Sequence, residues 1–239
     1  MMDNKMGKSV EMIFFDAGET LIHPVPSFAG LLSSICEAYG FQVDVTLLPD
    51  LTRALMADVE ERQKMGFTFT NNPQGSRRFW IDFYEELLRG LGYDGEDGML
   101  PEELYHTFSD PSHYDLYDDV SETLEELRKR GFRLGLISNF EVWLEDLLQM
   151  LELDGFFELK VISGREKFEK PHPKIFEIAL KRGGVEPHLA IHVGDSPISD
   201  FEGARQAGMG AILLDRWERF PHFEGLKIKT LAEMLSLLE

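Results

Sequence analysis

Cysteine is almost absent from this chain: among 239 residues there is one, Cys36. A lone thiol excludes an internal disulfide and fits a reducing compartment. Its setting, LLSSICEAYG, is apolar, so a packing role is expected rather than a reactive one. Basic residues are scarce too: 24 Lys and Arg stand against 43 Asp and Glu, a net charge of −19. Nucleic-acid backbones and anionic membranes are bound by positive surface, so neither is expected as a partner. A small anion can still bind where a few cations and main-chain N–H groups converge. No stretch approaches the ~18 apolar residues that span a bilayer. The opening segment MMDNKMGKSVEM has no long apolar run of the secretion-signal type. These absences together predict a cytoplasmic protein. The seven histidines show no metal-type spacing, which argues against zinc. There is neither an internal repeat nor a low-complexity tract.

What is present begins with VEMIFFDAGETL (Val10 to Leu21). A short continuous apolar run followed by Asp16 and a Gly-containing turn reads as a central strand of a parallel sheet. Asp16 then sits at the carboxyl end of that strand, where open α/β sheets bind their ligands. The prolines of HPVPS (His23 to Ser27) interrupt regular structure. From Phe28 to Phe108 the spacing is helical throughout, predicting about four helices. These are one from Phe28 to near Gly40, one over Val45–Met65, one from about Arg77 to Leu91, and a short one after Pro101. From Leu116 onward, strands and helices alternate. Asp119 and Glu122 resemble a capping box; strands are expected over Phe132–Ser138, Phe156–Ser163, Leu189–Asp195 and Gly210–Leu214. Helices are expected over Val142–Leu151, Pro173–Arg182, Ile198–Ala207 and after Thr230. The predicted fold is α/β: a Rossmann-like doubly wound parallel sheet, with an all-helical insertion. The core unit is placed at residues 1–23 and 112–239 and the insertion at 24–111. HPVPS and DPSHYDLY (Asp110 to Tyr117) are the two expected hinge strands.

Four strand ends carry polar groups of complementary type: Asp16, then Ser138-Asn139, then Lys170 in FEKPHP, then Asp195 in VGDSPISD with Asp200 five residues on. Each has an ordinary alternative, as a turn former, a helix cap or a solvated lysine. Their joint occurrence in one α/β unit points to a shared site. Asp16, Asp195 and Asp200 near one point would raise one another's pKa. A divalent cation removes that repulsion, and hard oxygen ligands favour Mg²⁺.

The order DAGETL, ISNF, EKPHPKIF, HVGDSPISD resembles the four motifs of the haloacid dehalogenase (HAD) superfamily, with a helical cap between the first and second. The resemblance covers nearly the whole chain. It implies that Asp16 is a nucleophile forming an aspartyl-phosphate, that Ser138 and Asn139 bind phosphoryl oxygens, and that Lys170 neutralises charge between Asp16 and the phosphoryl group. It further implies that Asp195 and Asp200, with Asp16 and the Gly18 carbonyl, hold Mg²⁺. The expected ligand is a small phosphorylated metabolite, and the chain is expected to be a monomer or a homodimer.

One departure matters. Most phosphatases of this superfamily carry a second aspartate, a general acid, where this chain has Gly18. Glu19 is adjacent, but a one-residue shift aims it differently. Haloacid dehalogenases lack that acid as well, because halide leaves without a proton. Two features oppose that reading: the GDSxxxD segment has the metal-binding phosphatase form, and HPVPSFAGLLSS lacks the arginine that dehalogenases place soon after the first motif. A catalytically weak relative that binds a ligand or partner is the remaining alternative. In the cap, Arg77 and Arg78 are the candidates for contacting an anionic substrate, against a simpler role as solvated residues at a helix start.

Overall fold

The computed structural model describes residues 10–95 and 98–238. Residues 1–9, which belong to the stretch read above for a secretion signal and to the expected core unit, lie outside the described residues.

The strand β1 (Met12–Phe15) is buried along its whole length, as a four-residue apolar run requires. It sits between β4 (Arg133–Ser138) and β6 (Ala190–Gly194) and pairs parallel with both. The six-stranded sheet runs β5-β4-β1-β6-β7-β8, all parallel, with β5 at Leu159–Ile162, β7 at Gly210–Leu214 and β8 at Lys227–Ile228. Alternation along β1 divides the core. Ile13 and Phe15 join one apolar cluster, with α5 (Val120–Lys129), α6 (Leu144–Met150) and α10 (Met234–Leu237). Met12 and Phe14 join another on the opposite face, with α8 (Pro173–Gly183) and α9 (Gly203–Gln206). The short α7 (Ser163–Glu166) follows β5. This is a doubly wound α/β unit. Because β1 pairs with β4 on one side and β6 on the other, the carboxyl ends of all three strands open at one crevice.

The helical insertion leaves the sheet through β2 (Ile22–Pro24) and returns through β3 (Tyr114–Leu116), which pair antiparallel. Between them lie α1 (Phe28–Ala38), α2 (Leu48–Lys64), α3 (Pro73–Gly90) and α4 (Met99–Phe108). Leu32, Cys36, Tyr84, Leu87, Leu88, Leu100 and Leu104 are among the residues that fill their common core, separate from the two sheet clusters. Cys36 is buried there, as its apolar surroundings suggested.

Local chemistry moves several boundaries. Helix α3 starts at Pro73, earlier than Arg77, because Asn72 accepts a hydrogen bond from the N–H of Gly75 and Pro73 occupies the first turn. Helix α4 starts at Met99, so Pro101 lies inside its first turn, where a missing N–H removes no intrahelical bond. Asp119 does not cap α5 with its side chain; the carboxylate pairs with Arg216 and accepts from the N–H of Leu231. The segment expected to be one helix over 198–207 is a π-helical stretch, Pro197–Glu202, that passes into α9. Thr230 and Glu233 do form a capping box at the last helical segment.

Candidate active site

The main-chain N–H of Asp16 donates to the carbonyl of Val193 (2.9 Å), which continues the β1–β6 ladder one residue beyond the strand. The Asp16 side chain is thereby held at the crevice and is almost buried. Lys170 reaches it from the loop before α8. Its Nζ donates to Asp16 Oδ1 and to Asp200 Oδ1, each at 2.6 Å, and the side chain is 2% exposed. The main chain of Lys170 is fixed by one side chain at the end of β4. Its N–H donates to Asn139 Oδ1 (2.7 Å), and Asn139 Nδ2 donates to its carbonyl (2.8 Å). Ser138, the last residue of β4, is buried beside them.

Of Asp16, Asp195 and Asp200, it is Asp200 that accepts the most hydrogen bonds. Besides Lys170 it accepts from His192 Nε2 (2.7 Å) and from the N–H of Ser196 (3.0 Å). A Cβ at position 194 would overlap the Asp200 carboxylate, so glycine ends β6 there. The His192 ring is buried, and that burial pushes its pKa down, with Asp200 opposing. Its Nε2 carries the proton given to Asp200, which leaves Nδ1 as a buried acceptor without a partner. Asp195 follows β6, and its Oδ2 accepts from Arg219 Nη2 (2.8 Å). Arg219 is positioned in turn by the buried Asp215, whose carboxylate accepts from the N–H groups of Arg219 and Phe220 and from Lys227.

The electrostatics leave this cluster short of positive charge. Burial raises Asp16, and the neighbouring Asp200 adds to the effect; Lys170 offsets it only in part. Burial also acts on Asp200, but Lys170 and His192 together outweigh it and hold that carboxyl below the ordinary range. Asp195 is pushed up to about 7, mainly by burial, with Arg219 opposing. Burial alone would lower Lys170, but two carboxylates keep it charged. One ammonium and one guanidinium therefore face three carboxylates. Oxygen atoms of Asp16, Asp195 and Asp200 lie within 4.8 Å of one another. That all-oxygen set fits a hard divalent cation and would be relieved by one.

Gly18 has neither a positive φ nor a crowded neighbourhood: a Cβ there would meet Phe140 at an ordinary 3.8 Å. Packing does not demand glycine at that place. Glu19 adopts a left-handed backbone (φ 54°), and its carboxylate accepts from Tyr117 Oη (2.8 Å). Arg77 and Arg78 lie on α3 with their guanidinium groups in ion pairs inside the insertion, Arg77 with Glu102 (3.1 Å) and Arg78 with Asp82 (3.3 Å). Among the described residues, these pairings keep both guanidinium groups away from the carboxylate–lysine cluster. The insertion meets the crevice through α2 instead. Ser196 Oγ donates to Glu60 Oε1 (2.7 Å), Ser199 Oγ to Gln63 Oε1 (3.3 Å), and Gln63 Nε2 to the Lys170 carbonyl (3.3 Å). His192, Arg219, Glu60 and Gln63 are absent from the sequence reading. A histidine inside the otherwise apolar strand AIHVG was a usable signal; the other three sit in segments with no motif.

A family model described as haloacid dehalogenase-like hydrolase matches residues 10–208. Human haloacid dehalogenase-like hydrolase domain-containing protein 3 is 30% identical over 208 residues, spanning 86% of this chain and 82% of its own length. Glyceraldehyde 3-phosphate phosphatase of Methanopyrus kandleri is 32% identical over 215 residues, spanning 87% and 84%. Among solved structures, the HAD-hydrolase YfnB from Bacillus subtilis, bound to magnesium, aligns with a TM-score of 0.75 at 19% identity over 97% of this chain and 100% of its own. The L-2-haloacid dehalogenase RSc1362 aligns with a TM-score of 0.72 at 18% identity, over 96% and 99%. At such identities the two structures bear on the fold alone.

Proposed function

The chain belongs to the haloacid dehalogenase-like hydrolase family, and from that membership we propose that it is a Mg²⁺-dependent phosphohydrolase acting on a small phosphorylated metabolite. One observation carries this reading: a buried lysine shared between Asp16 and Asp200, with Asp195 close enough to complete a three-carboxylate cation site.

Asp16 acts as the nucleophile. Its Oδ1 accepts from Lys170, so Oδ2 attacks phosphorus; the O–P bond to the leaving group breaks as the aspartyl–phosphate bond forms. Lys170 and the Ser138 hydroxyl, with the turn at Asn139, hold the non-bridging oxygens and stabilise charge developing on them. Asp16, Asp195, Asp200 and the Gly18 carbonyl would hold Mg²⁺, which when bound neutralises the carboxylates and the phosphoryl oxygens. Water then cleaves the acyl phosphate, releasing inorganic phosphate and restoring Asp16.

Residues 24–111 act as the cap. Substrate selection is assigned to the α2 side, where Glu60 and Gln63 meet the crevice, rather than to Arg77 and Arg78. With glycine at position 18 and Glu19 engaged by Tyr117, no side chain among the described residues takes the place of the missing general acid. Acyl and aryl phosphates should therefore turn over better than alkyl phosphates. The test is a panel of acyl, aryl, sugar and nucleotide phosphates with glyceraldehyde 3-phosphate, assayed with Mg²⁺ and with EDTA, using Asp16→Asn as the blank. No difference between wild type and that blank on any member would end the proposal. The same gap at Gly18 favours a second reading, C–halogen hydrolysis, since halide needs no proton. Halide release from 2-chloropropionate in EDTA would establish it.

A further inference from the structure

Glu169, immediately before Lys170, points away from the carboxylate cluster and into the insertion. The residue is 2% exposed. Its Oε1 gathers four donors from one loop of the cap: the main-chain N–H groups of Phe69 (2.8 Å), Thr70 and Asn71 (3.1 Å), and the Thr70 hydroxyl (2.9 Å). Three successive N–H groups turned to one point form a concave anion site, and the occupant here is a side chain from the opposite unit. Oε2 is buried without a partner. The same loop is held twice more. Thr70 Oγ1 bonds Ser163 Oγ, which also accepts from the N–H of Phe140, and Lys167 Nζ donates to the Asn71 carbonyl (2.9 Å).

These bonds surround one peptide. Lys170 has its N–H and carbonyl bracketed by Asn139, its carbonyl shared with Gln63 of α2, and its preceding residue locked to the cap loop. Only its side chain faces Asp16. We propose that Glu169 is a positioning residue: with the cap closed, its carboxylate takes the N–H groups of Phe69 to Asn71, and this sets the Lys170 backbone so that Nζ lies between Asp16 and Asp200. Closure over substrate would then complete the charge arrangement at the nucleophile and not merely exclude water. The inference rests on the phosphohydrolase reading above.

The experiment compares wild type, Glu169→Ala and Glu169→Gln, each with Mg²⁺, on p-nitrophenyl phosphate. Hydrogen exchange of the peptide covering residues 66–72 is followed alongside, with beryllofluoride as a mimic of the aspartyl-phosphate. Glu169→Ala is expected to lower kcat about 10- to 100-fold with KM little changed, since geometry is lost and not affinity. Amides 69–71 should lose their protection while exchange elsewhere stays as in wild type. Glu169→Gln, whose amide oxygen can accept the same N–H groups, should keep most of the activity. Wild-type turnover with an unimpaired Glu169→Ala would overturn this inference alone, as would a deficit accompanied by faster exchange throughout the chain. No turnover by the wild type of p-nitrophenyl phosphate or of any ester in the panel above would overturn the phosphohydrolase reading and this one with it.

Discussion

The α/β unit and the helical insertion are each organised around apolar side chains, yet their cores are separate. The bonds that join the α2–α3 segment to the sheet unit are of another kind. They are hydrogen bonds among Glu169, Gln63, Glu60, Thr70, Lys167 and the serines at positions 163, 196 and 199. Burial of apolar area is lost outright when a surface is wetted, at roughly 25 cal/mol per Å². A hydrogen bond exchanged for one to water changes the balance by only about 0.5–1.5 kcal/mol. Each unit is therefore stiff within itself, and the boundary between them is the compliant part. The proposed chemistry divides along the same line: Asp16, Ser138, Lys170, Asp195 and Asp200 all belong to the sheet unit.

That division can be broken in stages. Asp16→Asn, in the sheet unit, should reduce turnover of every phosphate ester on the order of 10⁴-fold or more, measured as phosphate release. Comparable loss from a change in the insertion alone would contradict the split. Gly18→Asp, which has room for a side chain, should raise turnover of alkyl phosphates by about 10²-fold while altering aryl phosphates little. Equal gains on both classes would show that no proton is missing. Leu87→Ala, in the core of the insertion, should destabilise the chain by about 2–5 kcal/mol in urea. Gln63→Ala, which removes two boundary hydrogen bonds, should cost less, about 1–3 kcal/mol in the same measurement. If the two swapped order, the boundary would be the better-packed region. Smallest of all, Cys36 is pushed up to about 11 by burial. Its thiolate is thus a minor species at pH 8, and iodoacetamide should label it only as the pH rises toward that value or after unfolding.

Period and punctuation made the sheet unit legible. The run MIFF, the first-turn Pro173 and the alternation after Leu116 each state a local preference that the tertiary structure keeps. The side chains at the ends of β1, β4 and β6 could be associated because a parallel sheet has one ligand-binding edge; Lys170, expected at a fourth strand end, lies instead beyond α7 in the loop before α8. Bonds between segments about a hundred residues apart could not be seen. Glu169 in FEKP reads as a flanking charge, and nothing in GFTFTNNPQG announces three N–H groups turned to one point. Asp119 shows the converse failure. Its spacing to Glu122 suits a cap, but Arg216, almost a hundred residues away, supplies a stronger partner than a main-chain N–H. Arg219 was missed for the same reason, because its ion pair with Asp195 depends on a loop ordered by Asp215.

Pro24 and Tyr114 are register partners in the β2–β3 pair, so the polypeptide departs from the sheet unit and re-enters it at a single spot. Paired residues in such a ladder lie about 5 Å apart. A module whose two ends meet at that spacing could be exchanged here without disturbing any of the six parallel strands. The chain thus has a socket, and what is plugged into it can be replaced wholesale while Asp16 stays where it is.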